Sequence, residues 1–493
     1  MASRSAPPLL WLGLPSALLV ALVCWLSTYY STLVVWEVRK FVPFLAAALV
    51  VAACAGLPAW LVRSVAARRS EAGRPGAVRT VGWLGLLVGL GVAAWWITHT
   101  DYDQDRTYAG SATVVTGTRL PDLEPRAPYL VGKAQAGPTL GDVSGDISDV
   151  TYLPDVNRFA TLVERRGWLA GYEVGVTQVI AVEGRGQDAQ KCRFDPAADA
   201  RIGGAFGHNL GRLISERQRW VTFEDSDAYV YCDGDVPKVV VPLKRQVGIL
   251  VVTERPAGVA VYDGRTGTVT VTTDPKGIPG PTYPISLAKR QREATHGLHG
   301  FADWWFERAG WDASDDGAND DNASEFTLNR ADHSGPVYVT PLTPPGSASS
   351  VVAVSSVPAQ HPGRDLAPMT VYRLDPTWAS PQAIVARIKA DYPDVCCYNQ
   401  DTVFEVIPTG GDSWVATTGS EQALRYRVVG NGQLQGPEAT CLKTADGRPI
   451  RCGTKPAAQT PPPVGDPRTL TNEELADLQR RVAEEVSRRL REK

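Results

Sequence analysis

Val81–Thr98 reads VGWLGLLVGLGVAAWWIT, an uninterrupted apolar run without one ionisable side chain. Its length is close to the ~20 residues an α-helix needs to cross the hydrocarbon core of a bilayer. The chain changes character on either side of it. The preceding loop carries Arg63, Arg68, Arg69, Arg74 and Arg79 against a single acid, Glu71. A long polar chain follows. Short basic loops stay on the cytoplasmic side, so residues 99–493 are expected to be extracytoplasmic.

Two more apolar stretches lie upstream, from Leu9 to about Tyr30 and from Phe41 to Val62. Residues 1–99 are therefore expected to form a three-helix anchor in the lipid bilayer, spanning residues 9–98 with a cytoplasmic N-terminus. Trp11 and Trp83 fall at the inner ends, and Tyr29, Tyr30, Trp95 and Trp96 at the outer ends, where amphipathic rings prefer to sit. Arg39 and Lys40 fall outside in this topology, against the trend, but the five arginines of the other loop outweigh them. No Asp, Glu, Lys, Arg or His lies inside the spans. Ionisable groups in membranes usually mark ion or proton pathways, so these helices read as an anchor and not a conduit. Gly85-x-x-x-Gly89 and the alanines of the second stretch offer faces for close helix packing, although such residues are common in any spanning helix.

Charge divides at the same boundary. Residues 1–99 hold eight cations and two acids, and the whole chain is −3, which leaves −9 for residues 100–493. An acidic exterior argues against nucleic acid as a partner, because phosphate binding needs clustered Lys and Arg. Six of the eight cysteines lie beyond Thr98, an even number consistent with disulfides in an exported domain. Six thiols allow 15 connectivities. Cys192–Cys232 and Cys441–Cys452 are the favoured pairs, with adjacent Cys396 and Cys397 left open.

Residues 100–150 are rich in Asp, Gly, Pro and Thr and read as a juxtamembrane connecting segment with short strands. Residues 151–455 read as an antiparallel-sheet-rich α+β region, with two subdomains as the natural division and a break near 310–335. The segment YLPDVNRFATLVERRGW suggests a short helix through Phe159, Leu162 and Val163. The clearest local signal is GVAVYDGRTGTVTVTT, where alternating Val, Tyr and Thr flank a glycine-bearing turn at Asp263–Gly267. SPQAIVARIKADY opens on a Ser cap followed by Pro and predicts a helix. A Pro-rich linker, residues 456–470, precedes a C-terminal amphipathic helix at 471–493. Thr471 and Glu474 make its capping box, and Leu475, Leu478, Val482, Val486 and Leu490 its apolar stripe.

Candidate chemistry is sparse. His296, His299 and Asp303 are spaced to share one face of a predicted helix, as metal ligands can be, but no partner motif completes a site. In the acidic loop 312–325, Asp312, Ser314, Asp316 and Asp320 fall at calcium-loop positions one, three, five and nine around Gly317. The twelfth position is Ala323 where a bidentate glutamate belongs, and Glu325 arrives two residues late. Asp312, Asp316 and Asp320 are the candidate calcium ligands; a solvated acidic turn accounts for the same residues. No nucleophile elbow, Walker loop or dinucleotide fingerprint occurs. The cluster Phe301, Trp304, Trp305, Phe306 and Trp311 reads as core or interface more readily than as a sugar-stacking platform. The expected function is a non-catalytic, membrane-anchored cell-envelope protein. Its exterior binds other envelope or secretion components, and its C-terminal helix docks an envelope protein or a second copy. The alternative is a tethered, cell-wall-directed hydrolase.

Overall fold

The computed structural model describes residues 15–22, 27–68, 75–164, 174–180, 189–204, 206–314, 325–346, 348–395, 402–420, 423–436, 439–453, 476, 479 and 480. The chain is α+β: a long helix hairpin followed by four sheets and short helices. Helices α1 (Thr28–Arg68) and α2 (Pro75–Ala109) form the hairpin. Their stretches Thr28–Ser64 and Val78–Ala109 are long and apolar enough to cross a membrane, yet only 6% and 11% of the most apolar windows are buried in protein. Leu49 is 71% exposed, and Leu45, Leu57, Leu84, Leu87 and Val88 are uncovered too. A core helix of a soluble protein would bury such a band. With the disulfides described below, these helices point to a membrane protein with an extracytoplasmic part.

Among the described residues two helices, not three, are long and apolar enough to cross a membrane. Of the first expected span, residues 15–22 are helical, while residues 1–14 and 23–26 lie outside the described residues. Its last residues, Thr28–Tyr30, open α1 instead. The Thr28 hydroxyl bonds Ser215 at 3.0 Å, a polar contact to protein and not to lipid. The hairpin closes through its small residues. A Cβ at Gly85 would collide with the Cys54 carbonyl, and one at Gly89 would lie 3.0 Å from the Val51 Cα. Gly91 and Gly56 have nothing within 4 Å, so the contact is made on the Gly85-x-x-x-Gly89 face and not around these two.

The expected connecting segment is largely regular structure. α2 continues past Thr98 to Ala109, and β1 (Ala112–Thr116), β2 (Leu123–Glu124), α3 (Tyr129–Thr139) and the start of β3 (Asp146–Leu153) follow. β3, β4 (Arg158–Glu164), β5 (Val174–Ile180) and β6 (Gln190–Arg193) make an antiparallel meander. β4 corrects the predicted short helix. Phe159 packs with α3 on one face and Ala160 and Leu162 join the opposite core, so a strand buried on both faces lost its period of two. The second sheet, in order β10-β9-β8-β7, holds β7 (Tyr229–Asp233), β8 (Val236–Val247), β9 (Thr253–Asp263) and β10 (Val269–Thr272). The β9–β10 hairpin forms as predicted, with Asp263 Oδ1 accepting from the Arg265 and Thr266 amides. Helix α4 (Leu210–Arg217), capped by Asn209, adds Leu210 and Ile214 to the core between these two sheets.

The third sheet mixes distant segments. β12 (Phe326–Arg330), β13 (Pro336–Thr343), β14 (Val351–Pro358) and β15 (Met369–Trp378) pair in sequence, with β2 beside β12 and β1 parallel to β15 at the other edge. Short β11 (Asp312–Ala313) pairs with β13. Helix α5 (Ile285–Glu293) covers one face together with Tyr108 from α2. β16 (Thr402–Gly410), β17 (Ser413–Ser420), β18 (Ala423–Asn431), β19 (Thr440–Thr444) and β20 (Pro449–Cys452) form the last meander. Helix α7 (Pro381–Asp391) lies against it, its Ser380 cap accepting from the Ala383 amide at 3.1 Å. Two disulfides follow the favoured pairing. Cys192–Cys232 staples β6 to β7, and Cys441–Cys452 joins opposed residues of β19 and β20. Cys396, Cys397, the Pro-rich linker and nearly all of the C-terminal helix lie outside the described residues.

Candidate functional site at the junction of hairpin and ectodomain

Both hairpin helices enter the ectodomain without a break, and each is held there by polar contacts. On α1, the Trp36 carbonyl accepts from Gln246 Nε2 at 3.0 Å, and Arg39 donates to the carbonyls of Gln246 and Gly248 at the end of β8. The misplaced charge of Arg39 is thereby explained: its guanidinium binds the ectodomain. On α2, Gln104 Nε2 donates to Val252 O at 2.9 Å and the Tyr102 hydroxyl to His299 O at 2.9 Å. Asp105 takes two donors, Arg290 Nη2 at 3.2 Å from α5 and Trp304 Nε1 at 2.8 Å from α6 (Phe301–Trp305).

The helix predicted to carry His296, His299 and Asp303 on one face does not form as a single element. It breaks into α5, a 3-10 turn Ala294–Leu298 and α6. Gly297 explains the break, because a Cβ there would lie 2.5 Å from the Arg106 amide nitrogen and 2.6 Å from the Asp105 carbonyl carbon. The turn therefore rests directly on the α2 backbone, which only glycine allows.

Between hairpin and ectodomain lies a cleft of about 550 Å³. Pro43, Phe44 and Ile97 give it apolar walls at the membrane end, while Lys40, Asp101, Lys289, Arg290 and Glu293 give it a charged rim. Glu224 and Glu254 also face it, and both are ion-paired with Lys244, Glu254 at 3.0 Å. Lys244 is buried within β8. Burial disfavours its charge, but the neighbouring Glu254 and Glu224 more than offset this and its pKa is raised. The Glu254 amide donates to the Tyr108 hydroxyl at 2.6 Å, tying this ion cluster to α2. The cleft thus combines an apolar end with a rim of both charge signs, on which Glu224 and Glu254 are paired with Lys244 and Arg290 with Asp105. An amphiphilic ligand or a polypeptide segment would fit such a lining.

The sequence-predicted residues do not converge here. Asp312 lies in β11 with Oδ1 3.6 Å from His296 Nε2, while Asp316 and Asp320 fall outside the described residues. Among the described residues no group of three His, Cys, Asp or Glu is placed to hold a metal ion. The helix break separates His296, bonded through Nδ1 to Ala309 O, from His299, which offers its carbonyl to Tyr102. Glu325 pairs with buried Arg292 at 3.0 Å, and desolvation, only partly countered by that arginine, raises its pKa. The aromatic cluster divides three ways. Trp311 is core, Trp304 packs on Tyr102 at 5.7 Å, and Trp305 and Phe306 are exposed. Sequence reasoning missed Lys244, Glu254, Tyr108, Gln104 and Asp105. Lys244 carried a signal, a lysine inside the apolar strand KVVVPLKRQV; the rest had none. No family model, curated protein or solved structure matches this chain.

Proposed function

We propose that this chain is a membrane-anchored cell-envelope protein whose extracytoplasmic region binds another envelope or secretion component without catalysing a reaction. In this reading the arginine loop around residues 63–79 faces the cytoplasm, and residues 99–493 lie outside. The short outer part of α1, with Trp36 and Arg39, lies outside beside them. The observation that carries the reading is the clamped junction. Two helices pass unbroken from an apolar band into the protein interior and are fixed there by Gly297, Asp105 and Arg39. This builds a platform held at the membrane surface, with a charge-rimmed cleft beside it. The Pro-rich linker and the C-terminal helix at 471–493 serve as the reaching element, docking a partner or a second copy.

The test is co-purification in mild detergent after crosslinking in intact membranes. Full-length chain is compared with a chain ending before Pro456 and with a full-length Lys289→Glu, Glu293→Lys variant, whose changes lie on the exposed cleft rim. Loss of the same partner from either variant is the expected result. Identical partner sets in all three would sink the proposal.

A further inference from the structure

Two exposed apolar elements flank the hairpin where it enters the ectodomain, and neither belongs to the apolar band of the helices. The first is the β8–β9 tip, where Ile249 is 75% exposed and Val247 and Leu250 are also uncovered. Its level follows from its contacts. Gln246 bonds the Trp36 carbonyl, and two residues on Gly248 receives Arg39. The strand therefore runs alongside α1 toward its apolar end. One or two residues beyond Gly248 the chain reaches Ile249 and Leu250, while α1 runs on from Arg39 to Phe41 and Phe44. Those rings are themselves exposed at the start of the apolar band. Gly248, at φ +92°, opens the turn that leads from β8 into the tip.

The second element is α6 and the residue after it, with Trp305 50% and Phe306 60% exposed. Its level is fixed by α2. Trp304 bonds Asp105, while Phe301 lies lower, 5.3 Å from the His99 ring, and Trp305 stacks on Phe301 at 6.2 Å. His99 in turn stacks on Trp95 at 5.0 Å, and Trp95 is an exposed residue of the apolar band. Trp305 thus continues a row of rings that begins inside the band. The Arg308 guanidinium sits over the Phe306 ring at 4.9 Å, placing a cation beside the apolar surface. Trp at the headgroup level, a basic side chain and aliphatic tips is the composition that partitions into the interfacial region of a bilayer.

We infer that the ectodomain rests on the outer leaflet through these two elements, with Ile249 and Leu250 on one side of the hairpin and Trp305 and Phe306 on the other inserted at the headgroup–acyl boundary. The occupant of this surface is lipid, because both patches are continuous in height and chemistry with the helix surface that faces the bilayer. The inference rests on the anchor reading of the hairpin and adds a second, interfacial contact. It also gives the cleft a fixed place, since Phe44 and Ile97 line its apolar end and lipid would border them.

The test uses the purified full-length chain reconstituted in phosphatidylcholine vesicles, with the photo-crosslinker benzoylphenylalanine placed in turn at Leu87, Ile249, Trp305 and Ile450. Leu87 is exposed on the spanning part of α2, and Ile450 is an exposed apolar residue on the edge strand β20. After illumination, mass spectrometry is expected to find lipid adducts at Leu87, Ile249 and Trp305, several-fold above Ile450. Lipid adducts at Leu87 but not at Ile249 and Trp305 would overturn the interfacial contact and leave the anchor standing. Crosslinks between two chains at Ile249 or Trp305 would replace lipid by a second copy. Absence of lipid at Leu87 as well would overturn the anchor itself.

Discussion

Val81–Thr98 and His99–Ala109 belong to one helix and meet opposite surroundings. In the first part Leu84, Leu87 and Val88 stand uncovered; in the second Tyr102, Tyr108 and Ala109 are buried under protein. The backbone does not register the difference, because an α-helix satisfies its own hydrogen bonds in lipid and in protein alike. Only the side chains mark the boundary. The border between anchor and domain is therefore no linker, and the ectodomain cannot swing freely about it. The two dry environments also treat charge differently. The apolar band holds none, whereas the ectodomain buries matched pairs, Arg126–Glu405 at 3.0 Å and Arg292–Glu325 at 3.0 Å.

That contrast is broken most severely by unmatching a buried pair. Arg126 and Glu405 are almost fully buried, and Glu405 also accepts the Tyr129 amide at 2.8 Å, so this pair locks α3 to β16. Arg126→Ala strands a carboxylate whose pKa burial has already raised, at a cost of about 3–5 kcal/mol. Arg126→Met combined with Glu405→Leu is expected to restore most of the loss, because an apolar pair of similar volume needs no solvation. Denaturant unfolding of the detergent-solubilised chain measures both. A double variant as unstable as the single one would show that the pair supplies more than charge matching.

A methyl group at the junction is expected to act next most strongly. Gly297→Ala places a Cβ against the α2 backbone, which has no rotamer to yield, for about 1–3 kcal/mol of overpacking. Amide hydrogen exchange across residues 99–109 should accelerate while exchange in the apolar band stays slow. Gly91→Ala is the matched comparison inside the band. Nothing lies within 4 Å, so stability should hold or rise by up to ~1 kcal/mol, as alanine favours helix. Equal effects at the two glycines would mean that the ectodomain does not rest on α2.

Asp105→Ala tests the same clamp through polar contacts. It removes the Arg290 ion pair and the Trp304 hydrogen bond, for about 1–2 kcal/mol given the partial exposure of Arg290. The signature is local, a red shift and greater quenching of tryptophan emission as Trp304 loosens. Unchanged emission would place Trp304 elsewhere.

How much of this was legible in the sequence depended on distance along the chain. The Asp263–Gly267 turn, the Ser380 cap and the Cys441–Cys452 pair are specified by residues close together, and each formed as read. Burial on both faces erased the alternation that would have marked β4 as a strand. The parallel pairing of β1 with β15 joins residues some 250 apart, with no local trace. The helical run of THTDYDQDRTYA looked like a linker because the groups that clamp it, Gly297, Arg290 and Trp304, are almost two hundred residues away. The cleft was hidden for the same reason, being assembled from residues near 40, 100, 250 and 290.

The smallest effect concerns protons, and it sharpens the contrast between matched and exposed charge inside the ectodomain. Burial works against the Asp263 carboxylate, yet hydrogen bonds from Lys238 and from the Thr266 and Arg265 amides overcome it and bring its pKa to about 2. Unfolded, the group titrates near ~3.9. A depressed folded pKa means that the unfolded chain binds the proton first. The contribution is therefore fully present above about pH 4 and is lost as pH falls through 2. Glu405 and Glu325 have the opposite sign, because burial raises their folded pKa. Their burden appears as pH rises above the unfolded value of ~4.3 and is relieved on acidification. Asp263→Asn should then lower stability at neutral pH by this contribution and flatten the profile below pH 4, leaving the slope of the neutral limb unchanged. Arg126→Ala should steepen the neutral limb, since the unpaired Glu405 would take up its proton at a higher pH. Unfolding midpoints between pH 2 and 7 would separate the two, and a wild-type acid limb retained by Asp263→Asn would remove the turn from the account.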